Sequence, residues 1–455
     1  MRQSSDDPWR HWAFNAGAER PGTARGVTVD ELRVAELLGR TPSAPAMDLI
    51  ELVAAIHLID RAEARPRGKK PGDSWSRHIH LTMGVREPQW WAADALHDEL
   101  IALLRSLTDD AWVIEFVPRL AAARPAECVQ FLFQSAPAGD AVALFSGGLD
   151  SLAGLAADVA GDVSPLALSV ETNSRLAKSQ RDVLDSFNQG TGSTIMRVPI
   201  ELHLKSAPAI ERSQRARGFG FLALGATLAA LARLESVHVY ENGIGAINLP
   251  YTSAQTGAHG TRAMRPETLE AAQRLFSKVL DHHLIIVNRS QYLTKAEMCR
   301  ALPDALHAAV ALTESCDTAF SYRGRTSSCG RCTSCLLRRQ AMVCAGMSDL
   351  DPSSRYRLDA FGSSPGTAED LYCLRAMLSQ ASRLQRAIGT GSASAWPGLV
   401  HEFPDLVRAV KSLRAALGGQ PESAVTDMLR RYVSEWAAVP SPLVASYLGS
   451  LPAAA

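Results

Sequence analysis

The chain has 455 residues, enough for two or three domains, and 46% of them are hydrophobic, as in soluble globular proteins. Lys plus Arg and Asp plus Glu both number 47, so the formal net charge is zero and the composition argues against nucleic acid as a partner. The first 14 residues contain no apolar signal core, and the longest apolar stretch, 219–232, is too short to span a bilayer; no membrane partner is expected and the expected location is cytoplasmic. In that compartment the eight cysteines read as thiols or metal ligands rather than disulfides.

Residues 1–138 read as an N-terminal α/β extension, with a helix over 48–60, strands over 76–85 and 111–117, and a helix over 93–106 between the strands. Trp75, Trp90, Trp91 and Trp112 cluster in this region and are expected in its core. The arginine-rich stretch 61–70 reads as an exposed loop.

From 139 to 348 strand and helix alternate. Strands are predicted over 141–145, 166–170, 194–198, 237–240 and 284–287, with helices over 152–159, 179–189, 219–234 and 267–280 between them. Such alternation predicts an α/β fold with a parallel sheet, whose ligands bind beyond the carboxyl ends of the strands. Residues 349–455 read as a C-terminal helical region, with helices over 368–388, 403–417 and 422–437 separated by glycine-rich breaks.

The first strand of the central region ends in Ser146-Gly147-Gly148-Leu149-Asp150-Ser151, and a small-residue helix pattern follows at once. Two adjacent glycines let backbone N–H groups approach an anion, and the helix behind them adds unpaired donors and the positive end of its dipole. Asp150 is out of place in such a cradle unless a metal ion or a polar substrate group offsets it. No Gly-x4-Gly-Lys-Ser/Thr string occurs, so Walker-type NTPase chemistry is not expected.

Cys329, Cys332 and Cys335 follow a Cys-x2-Cys-x2-Cys spacing, and Cys316 lies 13 positions upstream. Four thiolates suit structural zinc; a ferredoxin-like cluster would want a further Cys where Arg339 stands. Arg323, Arg325, Arg331, Arg338 and Arg339 crowd the same region, either as a solvated basic face or facing a phosphate or carboxylate.

The hexapeptide 146–151 resembles the PP-loop of the N-type ATP pyrophosphatases, which split ATP between the α and β phosphates. The wider series is similar to the QueC family, the 7-cyano-7-deazaguanine synthases. It comprises the PP-loop, Arg265-Pro266-Glu267, Leu293-Thr294-Lys295-Ala296-Glu297, Ser315-Cys316 and the block from Ser328 to Arg339, and it covers about 210 residues. The resemblance implies a Rossmann-like fold of the adenine nucleotide alpha hydrolase type and an ATP-dependent carbon–nitrogen ligase. In that chemistry a 7-carboxy-7-deazaguanine carboxylate is adenylated, and an amine then gives an amide or nitrile.

By the same resemblance Ser146, Gly147, Gly148, Leu149, Asp150 and Ser151 hold ATP and Mg²⁺, with Asp150, Ser146 and Lys295 as catalytic candidates. Arg215 and Arg217 are candidates for the nucleotide, and Glu241, Asn242 and Arg265 for the deazaguanine. Cys316, Cys329, Cys332 and Cys335 are the ligands of structural Zn²⁺. Ala263-Met264 stands where the family has Asp-Cys, and the Cys316–Cys329 gap is longer than the family's. About 140 residues precede the matching region and about 105 follow it, flanks that a small-molecule synthase does not need. Long QueC-like proteins of this kind resemble members of bacterial antiphage gene clusters, of the Qat and type IV CBASS types. A partner protein from such a cluster is therefore an expected amine donor, and a homo-oligomer is compatible with the sequence. An ordinary nitrile synthase of queuosine-type biosynthesis and a non-catalytic nucleotide-binding scaffold are the alternatives.

Overall fold

A computed structural model describes residues 8–16, 27–66, 75–131, 139–204, 210–211, 213–251, 262–317, 328–362, 366–389 and 395–448. Among the described residues nine strands form two sheets: β1 (Trp9–Phe14), β2 (Val27–Val29), β3 (His78–Val85), β4 (Ala111–Pro118), β5 (Val142–Leu144), β6 (Leu166–Glu171), β7 (Arg197–Leu204), β8 (Ser236–Val239) and β9 (Ile285–Asn288). The smaller sheet is parallel throughout, in the order β1-β3-β4. The larger one runs β2-β7-β6-β5-β8-β9; five strands are parallel and β2 adds an antiparallel edge.

The five parallel strands of the central region are all where the alternating pattern puts them, give or take a few residues. The largest shift is β7, expected over 194–198 and found over Arg197–Leu204, so that the two share only residues 197 and 198. Asn188 explains the delay: its side chain accepts from Ile195 N at 3.0 Å and donates to Ile195 O at 3.1 Å, so the entering chain is tied to the preceding helix. Pairing runs outward in both directions from β5, to β6 and β7 on one side and β8 and β9 on the other. The connection therefore reverses between β5 and β8, and a crevice opens beyond their carboxyl ends at such a switch point.

The N-terminal region is not packed as a separate body. One continuous core contains Leu49, Leu52, Val53 and Ile56 of the helix Ala44–Ala62, Ile79 and Leu81 of β3, and Phe219, Leu222 and Leu228 of the helix Arg217–Ala232. The helix Ala44–Ala62 is buried on nearly every side, including Asp48, Glu51 and Asp60, so its acids need internal partners. Arg86 meets Asp48 at 2.6 Å, Arg119 meets Glu51 at 2.9 Å, and Arg77 meets both Asp60 at 2.7 Å and Asp110 at 2.6 Å.

The four tryptophans do not share one fate. Trp91 and Trp112 are buried in the core as expected, whereas Trp90 is exposed and Trp75 lies half-buried beneath two guanidinium groups, Arg65 and Arg215. The C-terminal region is helical, with Tyr372–Ile388, Trp396–Glu402, Leu406–Leu417, Pro421–Ala437 and Pro442–Leu448. Its core takes in Ile247, Leu249, Leu336 and Leu337 of the central region, so these helices cover the flank of the crevice. Among the described residues no helix is long and apolar enough to cross a membrane.

Candidate functional site

The loop between β5 and the helix Leu149–Ala160 forms one wall of a cleft of about 540 Å³, a volume suited to a small-molecule ligand. Gly147 has φ +75°, a backbone conformation that costs a side chain about 1–2 kcal/mol. This turn leads into the helix start at the cleft wall. Gly148 is the N-cap of the helix and no side chain caps it, so the first-turn amides have no intrahelical acceptor. A Cβ at Gly148 would meet Ser146 Oγ at 3.3 Å and Glu314 O at 3.5 Å, narrowing the cleft where an anion would approach. Serine hydroxyls fix the loop: Ser146 Oγ accepts from Gly148 N at 3.3 Å and donates to Ser151 Oγ at 3.2 Å, while Ser151 donates to Gly148 O at 2.9 Å.

Asp150, in the first turn of that helix, is opposed by Lys295, whose Nζ lies 2.6 Å from Asp150 Oδ1. Asn242 donates to Asp150 Oδ2 at 3.0 Å and to Glu241 Oε1 at 2.7 Å, drawing the two carboxyls together. Burial opposes the charge on Asp150, but the adjacent ammonium outweighs it and holds the carboxyl below its ordinary value. Lys295 moves the opposite way: burial is outweighed by Asp150 and its affinity for the proton rises. Glu241 is pushed well above the usual carboxyl range by burial and by the Asp150 charge, the opposite direction to Asp150.

Arg217 lines the same cleft, with its guanidinium over the Phe221 ring at 4.7 Å and attracted by Asp317 of the same lining. It is a cation available to an anionic ligand. The loop, Lys295, Glu241, Asn242 and Arg217 are thus gathered in one place. Arg215 is not: it is buried over the Trp75 ring at 5.0 Å, outside the cleft lining, and its pKa is lowered by burial and by Arg65. Arg265 stands one layer back, donating to Asn248 O at 3.2 Å and facing Asp405 at 3.5 Å; Asn248 in turn lines the cleft.

Sequence reasoning missed Tyr240, Gly245, Tyr251, Glu314, Asp317, Thr333 and Ser334, all in the lining. The signal was positional: these residues follow the β8 strand end or flank the cysteine motif.

The four cysteines converge with all sulfur atoms within 4.8 Å of one another. Cys329 Sγ and Cys335 Sγ are 3.8 Å apart, and a tetrahedron with Zn–S of about 2.3 Å has S···S edges of about 3.8 Å. Backbone amides point at the sulfurs: Cys329 N to Cys316 at 3.3 Å, Cys332 N to Cys329 at 3.3 Å and Cys335 N to Cys332 at 3.5 Å. Such donors favour thiolates, and the set could hold a metal ion such as zinc. Cys332 also caps the helix Thr333–Cys344, whose first residues line the cleft. The nearby arginines do not face that cleft. Arg338 is buried against Asp351 at 2.8 Å, Arg339 pairs with Asp359 at 2.6 Å and Arg331 with Asp370 at 2.7 Å. Arg323 and Arg325 lie outside the described residues.

No known family profile matches the chain, and no curated protein is detectably similar to it.

Proposed function

We propose that the chain is an ATP-dependent adenylating ligase of the PP-loop type, Rossmann-like in its central region, acting on a carboxylate of the 7-carboxy-7-deazaguanine class. The observation that carries this reading is the pairing of an uncapped, glycine-turned helix start with the Lys295–Asp150 contact at the same cleft. Amides of the first helical turn and the Arg217 guanidinium would take the triphosphate oxygens, and Mg²⁺ held at Asp150 would supply further neutralisation of the pyrophosphate.

The chemistry is a displacement followed by acyl transfer. A substrate carboxylate oxygen attacks the α-phosphorus, the bond to the bridging oxygen breaks, and pyrophosphate leaves. An amine nitrogen then attacks the carbonyl carbon, loses a proton, and expels AMP with the former carboxylate oxygen. What the residues contribute is alignment and charge. Zinc at Cys316, Cys329, Cys332 and Cys335 would be structural, because four sulfur ligands leave no open position.

The large flanks favour an amine carried by a partner protein, in antiphage defence, over free ammonia. Pyrophosphate release from ATP and Mg²⁺, with and without 7-carboxy-7-deazaguanine, tests the adenylation. Intact-mass spectrometry of candidate partners tests the acceptor. Release that ignores the acid, or none at all, contradicts the reading; an unmodified partner alongside free nitrile returns it to ordinary nitrile synthesis.

A further inference from the structure

Lys295 opens a short helix, Lys295–Arg300, that is held by a capping box. Thr294 Oγ1 accepts from Glu297 N at 3.1 Å, and Glu297 Oε2 accepts from Thr294 N at 2.8 Å. Both halves of this box are gripped from outside by one helix of the C-terminal region, Pro421–Ala437. Thr294 Oγ1 donates to Glu435 Oε1 at 2.5 Å, and Arg431 Nε lies 2.8 Å from Glu297 Oε1. Residues 431 and 435 are four apart, hence on one face of the helix. Arg431 also donates to Tyr292 O at 2.9 Å, just before the capped turn.

Glu435 reaches a second element of the cleft. Its Oε2 accepts from Gln340 Nε2 at 3.2 Å and its backbone carbonyl accepts from Cys344 Sγ at 3.1 Å, both on the helix Thr333–Cys344. One carboxylate therefore couples the start of the Lys295 helix to a second helix whose first turn also lines the cleft. A six-residue helix has little stability of its own, so the place of Lys295 depends on what holds its first turn.

We infer that the C-terminal helix is a positioning element for the adenylation site, and that Glu435, assisted by Arg431, sets where Lys295 Nζ stands relative to Asp150. Glu435 touches neither Asp150 nor Lys295 in this arrangement; it acts through Thr294. This gives the C-terminal region a task that its lack of a catalytic motif leaves unstated. The kinetic part of the inference rests on the proposed adenylation; the structural part does not.

The test uses the full-length, zinc-loaded protein and three variants: Glu435→Ala, Glu435→Gln and the solvent-facing control Asp427→Ala. Amide hydrogen exchange over the Lys295–Arg300 segment is read in the absence of substrates. Glu435→Ala is expected to speed exchange there by roughly tenfold, with the strands β5 and β8 unchanged. The glutamine variant keeps an acceptor for Thr294, and Gln340 can turn its amide, whose Oε1 has no hydrogen-bond partner among the described residues, toward the new NH₂; its exchange is expected within about twofold of the parent. If the protein releases pyrophosphate, Glu435→Ala is expected to lower kcat by roughly tenfold with KM for ATP little changed, since misplaced groups act on rate. The glutamine variant is expected to recover it and Asp427→Ala to leave it unaltered. Unchanged exchange in Glu435→Ala, or faster exchange spread evenly over the chain, would overturn the inference. An enzyme without pyrophosphate release would remove the proposed reaction while leaving the exchange result to decide the positioning.

Discussion

Lys295 Nζ stands 2.6 Å from Asp150 Oδ1 across a gap of 145 residues in sequence, and the pair sits where the glycine turn opens into the cleft. A buried ammonium needs a counter-charge. Asp150 is the larger source of it, with Glu241 adding to it, while burial and the Asp150 charge push the Glu241 carboxyl well above the usual range. The residue that looked anomalous in an anion cradle thus keeps a cation in place beside that cradle.

The two loop glycines should respond differently to alanine. Gly147→Ala forces a side chain into a left-handed backbone and against Gln180 Cα at 3.1 Å; a loss of about 1–2 kcal/mol in denaturant melts is expected. Gly148 has an ordinary φ of −84° and its added methyl projects toward Ser146 and Glu314. Gly148→Ala should melt within about 0.5 kcal/mol of the parent yet weaken ATP uptake in calorimetry.

Glu241 sets a pH signature. A carboxyl whose folded pKa is raised contributes stability only below its unfolded value of about 4.3, and that contribution is lost as pH rises through the folded value. Glu241→Gln removes the cost of ionising this group and retains an acceptor for Asn242. The variant should therefore melt higher than the parent at neutral and alkaline pH, with the difference vanishing near about pH 4. Melting curves across that range check the sign.

Much of this arrangement was legible in the chain and some was not. The strand–glycine–helix string at 141–151 and the cysteine spacing are local patterns, and the structure places both as local motifs. Alternating strands and helices gave the parallel sheet because each strand there is a short apolar run bounded by turns. β1 was missed because Trp9–Phe14 mixes His and Arg with aromatics and shows no alternation; β2 has only three residues. Arg215 was placed by proximity to a helix start, yet its guanidinium lies over the Trp75 ring while Arg217, two residues on, lines the cleft. Contacts such as Thr294 with Glu435, separated by 141 positions, leave no periodicity to read.

The buried ion pairs of the N-terminal region make a stability prediction. Arg77 is 3% exposed and bridges Asp60 and Asp110 while donating to Glu63 O at 2.8 Å. Arg77→Met removes the closest cation from two buried acids and leaves Arg65 as their remaining ion pair among the described residues. A loss of about 3 kcal/mol in urea unfolding is expected, with no change in the metal content of the folded fraction.

Metal analysis checks the cysteine cluster. The purified chain should carry a single zinc ion and no stoichiometric iron. Cys332→Ser should lose the zinc and lower the melting temperature, even though serine can still cap the helix Thr333–Cys344. Retention of full zinc and stability in that variant would show that the four sulfurs do not act together.

The most direct test of the adenylation follows one oxygen atom. 7-Carboxy-7-deazaguanine labelled with ¹⁸O in its carboxylate is incubated with the protein, ATP, Mg²⁺ and an amine, and the AMP is analysed by mass spectrometry. Attack of the carboxylate on the α-phosphorus predicts AMP carrying one labelled oxygen. Unlabelled AMP, or ADP and phosphate in its place, would contradict it.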